Sequence, residues 1–256
     1  VRKDADADAV QREVTGDVRP VMLDVTDVGQ VQAALERIRS EVGGLDGLVN
    51  NAGVADGGAI EVLSDEEWRR HFEVNVFGVV RLTREALPLV RAAKGRVVNI
   101  GSIAGRVASP LMAPYAAGKH AIEAFSEALR FEVSDQGIRV ACIEPGEIAS
   151  AIWDKAHGQV EDAEASLDPD QRQRYSRQLD VLRGFVADGA KRGIPASKVA
   201  AAVHHALTAS RPKHRYLVGP DAKLAGVVTL LPDRVRARAL AVNLKRWERA
   251  GAKLRS

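Results

Sequence analysis

Along this chain, short apolar runs alternate with longer stretches in which apolar residues recur every three or four positions. "PVMLDV" (20–25), "GLVNN" (47–51), "GRVVNIGS" (95–102), "IRVACIEPG" (138–146) and "RYLVG" (215–219) are nearly continuous in hydrophobicity, as parallel strands covered on both faces must be. The intervening stretches read as helices. In "TDVGQVQAALERIRSEVG", Val31, Leu35, Ile38 and Val42 form one stripe, with Asp27 placed as a cap and Gly43 as a stop. Ser64 and Glu67 form a capping-box pair before a long apolar stripe, and "PYAAGKHAIEAFSEALRFEVSDQG" predicts a further helix ending near Gly137. Alternating strands and helices predict an α/β fold, a doubly wound parallel sheet with helices on both faces.

Residues 150–193 break this rhythm: the segment is polar, with helical fragments and no strand. An insertion there, beyond the carboxyl ends of parallel strands, is placed to act as a substrate lid. Trp153 and Phe185 within it are candidates for an apolar pocket or for packing inside the lid. The expected organisation is a domain over 1–220 with this lid, then a basic helical extension over 221–256. Within that extension, a helix from about Asp233 to Ala250 is expected to carry Val235, Leu240, Leu244 and Trp247 on one apolar side.

Composition adds limits. The 256 residues are 46% hydrophobic and 28% charged, with net charge +3, an ordinary globular balance. From Arg211 to Ser256 there are twelve Lys or Arg against three Asp or Glu. The ordinary reading of that excess is a solvated helix face, with contact to an anionic membrane as the alternative. No nucleic-acid-binding module accompanies it. Cys142 is the only cysteine, so no intrachain disulfide forms, and no run is long and apolar enough to span a bilayer. These features predict a cytoplasmic protein. His204 and His205 are adjacent on a predicted helix and point different ways, which assigns them to surface or packing rather than to a metal.

The chemistry lies in "SIAGRVASPLMAPYAAGK". Tyr115 and Lys119 are four apart and share a helix face. A neighbouring ammonium favours phenolate, which is expected to lower the Tyr115 pKa and make the phenol a usable proton shuttle. Ser102 ends a predicted strand, where α/β sheets present active-site groups.

"NNAG" (Asn50 to Gly53), "NVFG" (Asn75 to Gly78), Ser102, "YAAGK" (Tyr115 to Lys119) and "PGEIAS" (Pro145 to Ser150) stand in the order and spacing of the short-chain dehydrogenases/reductases, which the chain resembles over residues 1 to about 220. The resemblance implies hydride transfer between a nicotinamide dinucleotide and a small-molecule alcohol/ketone pair, with no nucleic-acid partner and with assembly as a homodimer or homotetramer. It implies a tetrad of Asn75, Ser102, Tyr115 and Lys119, with Asn75 holding a proton-relay water and Lys119 also binding the nicotinamide ribose. Asn51, Ala52 and Gly53 would lie beside the adenine side of the cofactor and Asp24 at the adenine ring. Pro145, Gly146 and Ile148 would line the nicotinamide. Arg2, near the ribose-reading position, points to NADP in preference to NAD. The tail resembles those of retinol- and steroid-dehydrogenase-like members, implying a lipophilic substrate.

Two departures stand out. Ser150 replaces the usual threonine, and no glycine-rich phosphate loop of the form G-x-x-x-G-x-G or G-x-G-x-x-G occurs in a suitable context. The expectation is therefore that a strand, glycine loop, helix and strand of roughly 30 residues or more precede Val1 in the natural protein, leaving 20–25 and 47–51 without their sheet neighbour. The alternatives are a non-catalytic scaffold that binds no dinucleotide and, last, a sugar-nucleotide epimerase.

Overall fold

The computed structural model describes residues 1–149 and 152–254, without the side chains of 152–157 and 159. Helices are α1 (Asp4–Glu13), α2 (Val28–Val42), α3 (Asp65–Phe72), α4 (Gly78–Ala92), α5 (Ala113–Val133), α6 (Ile152–Ala165), α7 (Pro169–Arg192), α8 (Ala196–Thr208), α9 (Pro220–Val228) and α10 (Asp233–Ala252). Strands are β1 (Gly47–Asn50), β2 (Arg96–Ile100), β3 (Arg139–Pro145), β4 (Ile148–Ala149), β5 (Ile194–Pro195) and β6 (Arg215–Val218). Four of them form one parallel sheet in the order β1-β2-β3-β6, while β4 and β5 pair separately.

Side chains alternate across the sheet, and the two faces bury different clusters. Val97 and Val140 pack with Val31 and Leu35 of α2, Leu89 and Val90 of α4, and Leu129 and Val133 of α5. Val98, Ala141 and Ile143 face the other way, onto Ala206, Val199 and Val203 of α8. The expected caps form. Asp27 accepts from the Gln30 amide, Gly43 ends α2 at φ 74°, and Ser64 and Glu67 close a reciprocal capping box.

The expected strand over 20–25 is not formed. A strand needs a lateral partner for its backbone groups. Here the Leu23 amide donates to the Val1 carbonyl (2.9 Å), the Val1 ammonium to the Val21 carbonyl (3.1 Å), and the Asp24 amide to the Gln30 side chain (2.8 Å). The segment therefore lies outside the sheet, and β1 is an edge strand.

The 150–193 segment contains α6 and α7. Asp168 and Gln171 form a second capping box at the start of α7, with Pro169 at its first position. Apolar residues of these helices, including Val160, Leu179, Leu182 and Val186, pack on Ala59, Leu111 and Met112. Trp153 lies outside the described side chains; Phe185 meets Trp247 of α10 edge to face at 5.1 Å. The tail helix thus lies against α7. Leu240, Leu244 and Trp247 are half-buried, but Val235 is 47% exposed and lies off the expected side. The contact needs two glycines: a Cβ on Gly184 would strike the Trp247 carbonyl, and one on Gly251 the Asp180 carbonyl.

Gly184→Ala and Gly251→Ala should each destabilise this helix pair by about 2 kcal/mol, the usual cost of overpacking against backbone. Hydrogen exchange should show α10 losing protection while α4 and α5 keep theirs; unchanged α10 protection would show that the helices can separate at no cost.

Candidate active site

The π turn at Glu73–Phe77, between α3 and α4, carries Asn75, which is 1% exposed. Its Oδ1 accepts from the Val54 amide and its Nδ2 donates to the Val54 carbonyl, both at 2.9 Å. One side chain therefore ties the turn after β1 to the helix, as a neighbouring strand would. Both polar atoms are engaged. Gly53 lies close to this contact: a Cβ there would be 3.1 Å from Asn75 Oδ1, tighter than usual, and 3.8 Å from Lys119 Nζ. Buried His71, one turn before Asn75, places Nδ1 3.5 Å from Asn75 Nδ2, and burial pushes its pKa down.

Ser102 follows β2, and its Oγ accepts from the Ala104 amide at 3.1 Å. Lys119, 7% exposed, donates from Nζ to the Ile100 carbonyl at 2.8 Å, and Nζ lies 5.7 Å from the centre of the Tyr115 ring. Burial lowers the Lys119 pKa to about 8, against the pull of Cys142 and Glu123. Burial also raises the Tyr115 pKa, opposed by a hydrogen bond from Ser102. The expected lowering of the phenol is thus not seen, because loss of hydration outweighs the favourable contacts. Asn75, Ser102, Tyr115 and Lys119 are nonetheless brought together at the carboxyl ends of β1 and β2.

Asn51, Ala52 and Gly53 form an exposed turn. Pro145 ends β3, and the Gly146 amide donates to the Val218 carbonyl (3.0 Å). A Cβ on Gly146 would overlap the Asp221 carboxylate, which accepts from the Glu147 amide at 2.6 Å, so a side chain there would have to displace it. Ile148 is half-buried in β4, whereas Ser150 lies outside the described residues. Burial, with Asp188 and Asp221 nearby, pushes Glu147 up to about 7. Asp24 accepts from both the amide (2.9 Å) and the hydroxyl (2.7 Å) of Thr26, which hold its carboxyl below the usual range; Arg2, exposed, acts on it in the same sense. His204 and His205 are exposed, and His205 lies against the Tyr216 hydroxyl at 2.9 Å.

Sequence reasoning missed the polar chain that fixes this geometry from the sheet side. Asn50 Nδ2 donates to Thr83 (2.9 Å) and to Asn99 Oδ1 (2.7 Å), Asn99 Nδ2 to Ser126 (2.8 Å), and Ser126 to the Ile122 carbonyl (2.6 Å). The available signal was four polar residues, Asn50, Thr83, Asn99 and Ser126, in otherwise apolar strand and helix faces.

A lysine whose pKa falls on folding weakens the fold below that folded value; the penalty fades as pH rises from about 8 toward its unfolded value. Lys119→Met should therefore raise stability by about 2 kcal/mol at pH 7, after the lost hydrogen bond is discounted. The gain should shrink above pH 8. Denaturant titrations at pH 7 and 9.5 check this, and a variant less stable than the parent at pH 7 would refute it.

Residues 2–161 match the family model for short chain dehydrogenase. The chain is 37% identical over 254 residues to NADPH-dependent 3-dehydrocapnine reductase of Ornithobacterium rhinotracheale, covering 96% of this chain and 87% of that protein. It is 38% identical over 219 residues to mitochondrial D-beta-hydroxybutyrate dehydrogenase of Mus musculus, covering 78% of this chain but only 61% of that protein. Among solved structures, a short-chain dehydrogenase from Streptomyces avermitilis matches with TM-score 0.72 and 30% identity over 97% of this chain and 85% of the other. A short chain dehydrogenase from Burkholderia cenocepacia in complex with NADP matches with TM-score 0.64 and 26% identity, over 91% and 81%. Its ordered motifs, its parallel α/β sheet and these similarities place this chain in the short-chain dehydrogenase family, as an oxidoreductase acting on CH–OH groups.

Proposed function

We propose that this chain transfers hydride between NADP(H) and an alcohol/ketone pair that carries an apolar substituent. The observation that carries the reading is the convergence of Ser102, Tyr115 and Lys119 beside the exposed turn at Asn51, Ala52 and Gly53. The apolar cluster linking α6 and α7 to Leu111 and Met112, just before Tyr115, supports the apolar substituent. The NADPH-dependent reductase and the NADP-bound neighbour support the coenzyme.

The residues present fit the nicotinamide half of that coenzyme. Donors stand at buried Ser102 and Lys119 and at half-buried Tyr115, and Pro145 to Ile148 lie at the carboxyl end of β3. Lys119 would hold the ribose, Ile148 the carboxamide, Asp24 the adenine and Arg2 the ribose phosphate. When bound, the nicotinamide supplies or accepts the hydride. Ser102 hydrogen-bonds the substrate oxygen. In reduction, the Tyr115 phenol gives its proton to that oxygen, and the Lys119 ammonium stabilises the phenolate left behind; oxidation runs the same transfer in reverse. Asn75 holds the Val54 turn in register and leaves its backbone for the relay water. Helices α6 and α7 serve as the lid.

The scaffold reading is favoured by one sequence observation, the lack of a recognisable glycine-rich phosphate loop. Dinucleotide binding separates the two. Assembly as a homodimer or homotetramer is supported by the exposed Phe77 and Phe131 (52% and 72%), which a second copy would cover.

Tyr115→Phe should cut turnover by about 10³-fold, in the range for loss of a general acid–base, with an unchanged melting profile. Near-normal turnover in the folded variant would sink the mechanism. Calorimetric titration should show NADPH binding at least tenfold tighter than NADH, with Arg2→Ala erasing the difference. A clear NADH preference would refute the coenzyme reading, and no binding of either would favour the scaffold.

A further inference from the structure

Next to Lys119 lies a buried ionic cluster to which the reaction described above gives no role. Glu123 follows Lys119 by one helical turn on α5 and is 8% exposed. Its Oε1 accepts from the Cys142 thiol at 2.9 Å and its Oε2 from Arg215 Nε at 3.1 Å. Arg215 also pairs with Glu127 (2.8 Å) and lies 3.5 Å from Glu144, while Glu144, fully buried on β3, is held by Arg106. Strand β3, helix α5, strand β6 and the turn after Ser102 therefore meet in one set of charges.

Two glycines let that set reach the reacting groups. A Cβ on Gly101 would lie 2.8 Å from Cys142 Sγ and 2.9 Å from Glu123 Oε1. Gly101 stands between Ile100, whose carbonyl receives the Lys119 ammonium, and Ser102. A Cβ on Gly105 would lie 2.8 Å from the Lys119 carbonyl and 3.2 Å from Glu123 Cγ. The Glu123 carboxylate is thus packed against the strand end that seats both Lys119 and Ser102.

We propose that Glu123 is a positioning residue for the reaction: its buried carboxylate, packed against the strand end at Gly101 one helical turn from Lys119, acts on the ammonium that partners Tyr115. The proposal rests on the reading of Lys119 as the partner of Tyr115. Several groups surround the ammonium. Tyr115 on its own helix, Asn75 on the π turn and Ser102 after β2 are neutral polar groups, and His71 behind Asn75 is pushed by burial toward its neutral form. From β3, burial and Glu123 push the Cys142 thiol far above its usual range, so it stays protonated and uncharged. Arg130, facing the same cluster, donates to the Val140 carbonyl at 3.3 Å and adds positive charge, as Arg215 and Arg106 do. Glu144 lies farther along β3 and is neutralised by its arginines. Of the two groups that oppose the burial penalty on Lys119, Cys142 and Glu123, Glu123 is therefore the carboxylate.

The test follows the Lys119 titration itself by NMR in ¹⁵N-lysine-labelled protein, with the signal assigned by its loss in Lys119→Met. This readout does not depend on turnover, so it stands apart from the Tyr115→Phe assay. Glu123→Gln keeps the shape and removes the charge, and should lower the Lys119 midpoint by about one pH unit or more. Arg215→Gln removes an opposing charge at a partly exposed side chain and should raise the midpoint. The pH profile of kcat should move with each. A midpoint unchanged in either folded variant, or moved in the other direction, overturns the proposal. Should Glu123→Gln fail to fold, Arg215→Gln decides alone: a rise upholds the assignment, and no change or a fall ends it.

Discussion

The arrangement depends on how closely helix α5 passes the end of β2. Lys119 must bring its ammonium to the Ile100 carbonyl while Tyr115, one turn earlier, stays within reach of Ser102. Gly101 and Gly105 make that approach possible, since a methyl group on either would meet the α5 backbone or the side chains it carries. From the sheet side, the chain of hydrogen bonds from Asn50 through Asn99 to Ser126 fixes the same helix two turns farther on. The helix is thus held at two points by polar contacts inside apolar walls. Such contacts specify a position more sharply than apolar packing does, because a displaced buried donor or acceptor loses its partner and its water together.

Burial that creates this precision also works against charge. It disfavours the Lys119 ammonium and the Tyr115 phenolate alike, so either charge depends on specific neighbours. Ser102 acts on the phenol, and Glu123 on the ammonium. The wider cluster of Glu144, Arg106 and Arg215 is the means by which a carboxylate can sit so deep without being left unpaired.

A second close contact governs the other end of the molecule. Helix α7, which closes over the apolar cluster near Tyr115, is itself covered by α10 through Gly184 and Gly251. Arg246 and Trp247 both reach Asp188 on α7, and Arg246 makes its nearest contact at 2.6 Å. The basic tail is therefore joined to the insertion by glycine clearance and charge, and Trp247 of its apolar side packs there on Phe185.

Much was legible in the sequence because it is encoded over a few neighbouring residues. The caps at Asp27 and Ser64, the apolar runs of four of the five expected strands, and the spacing of Asn75, Ser102, Tyr115 and Lys119 all depend on local geometry, in which a helix repeats every 3.6 residues and a strand every two. Other properties depended on distant partners. Residues 20–25 have strand-like composition, but a strand exists only where another backbone lies alongside it. The pKa of Tyr115 followed burial rather than the nearby lysine, and burial is supplied by the whole fold. Arg215 meets Glu123 across 92 positions and Arg106 meets Glu144 across 38. Periodicity along the chain determined the elements and the order of the reactive groups; only the tertiary structure decided which charges are buried together, because desolvation and Coulomb attraction depend on distance in space and not on separation in sequence.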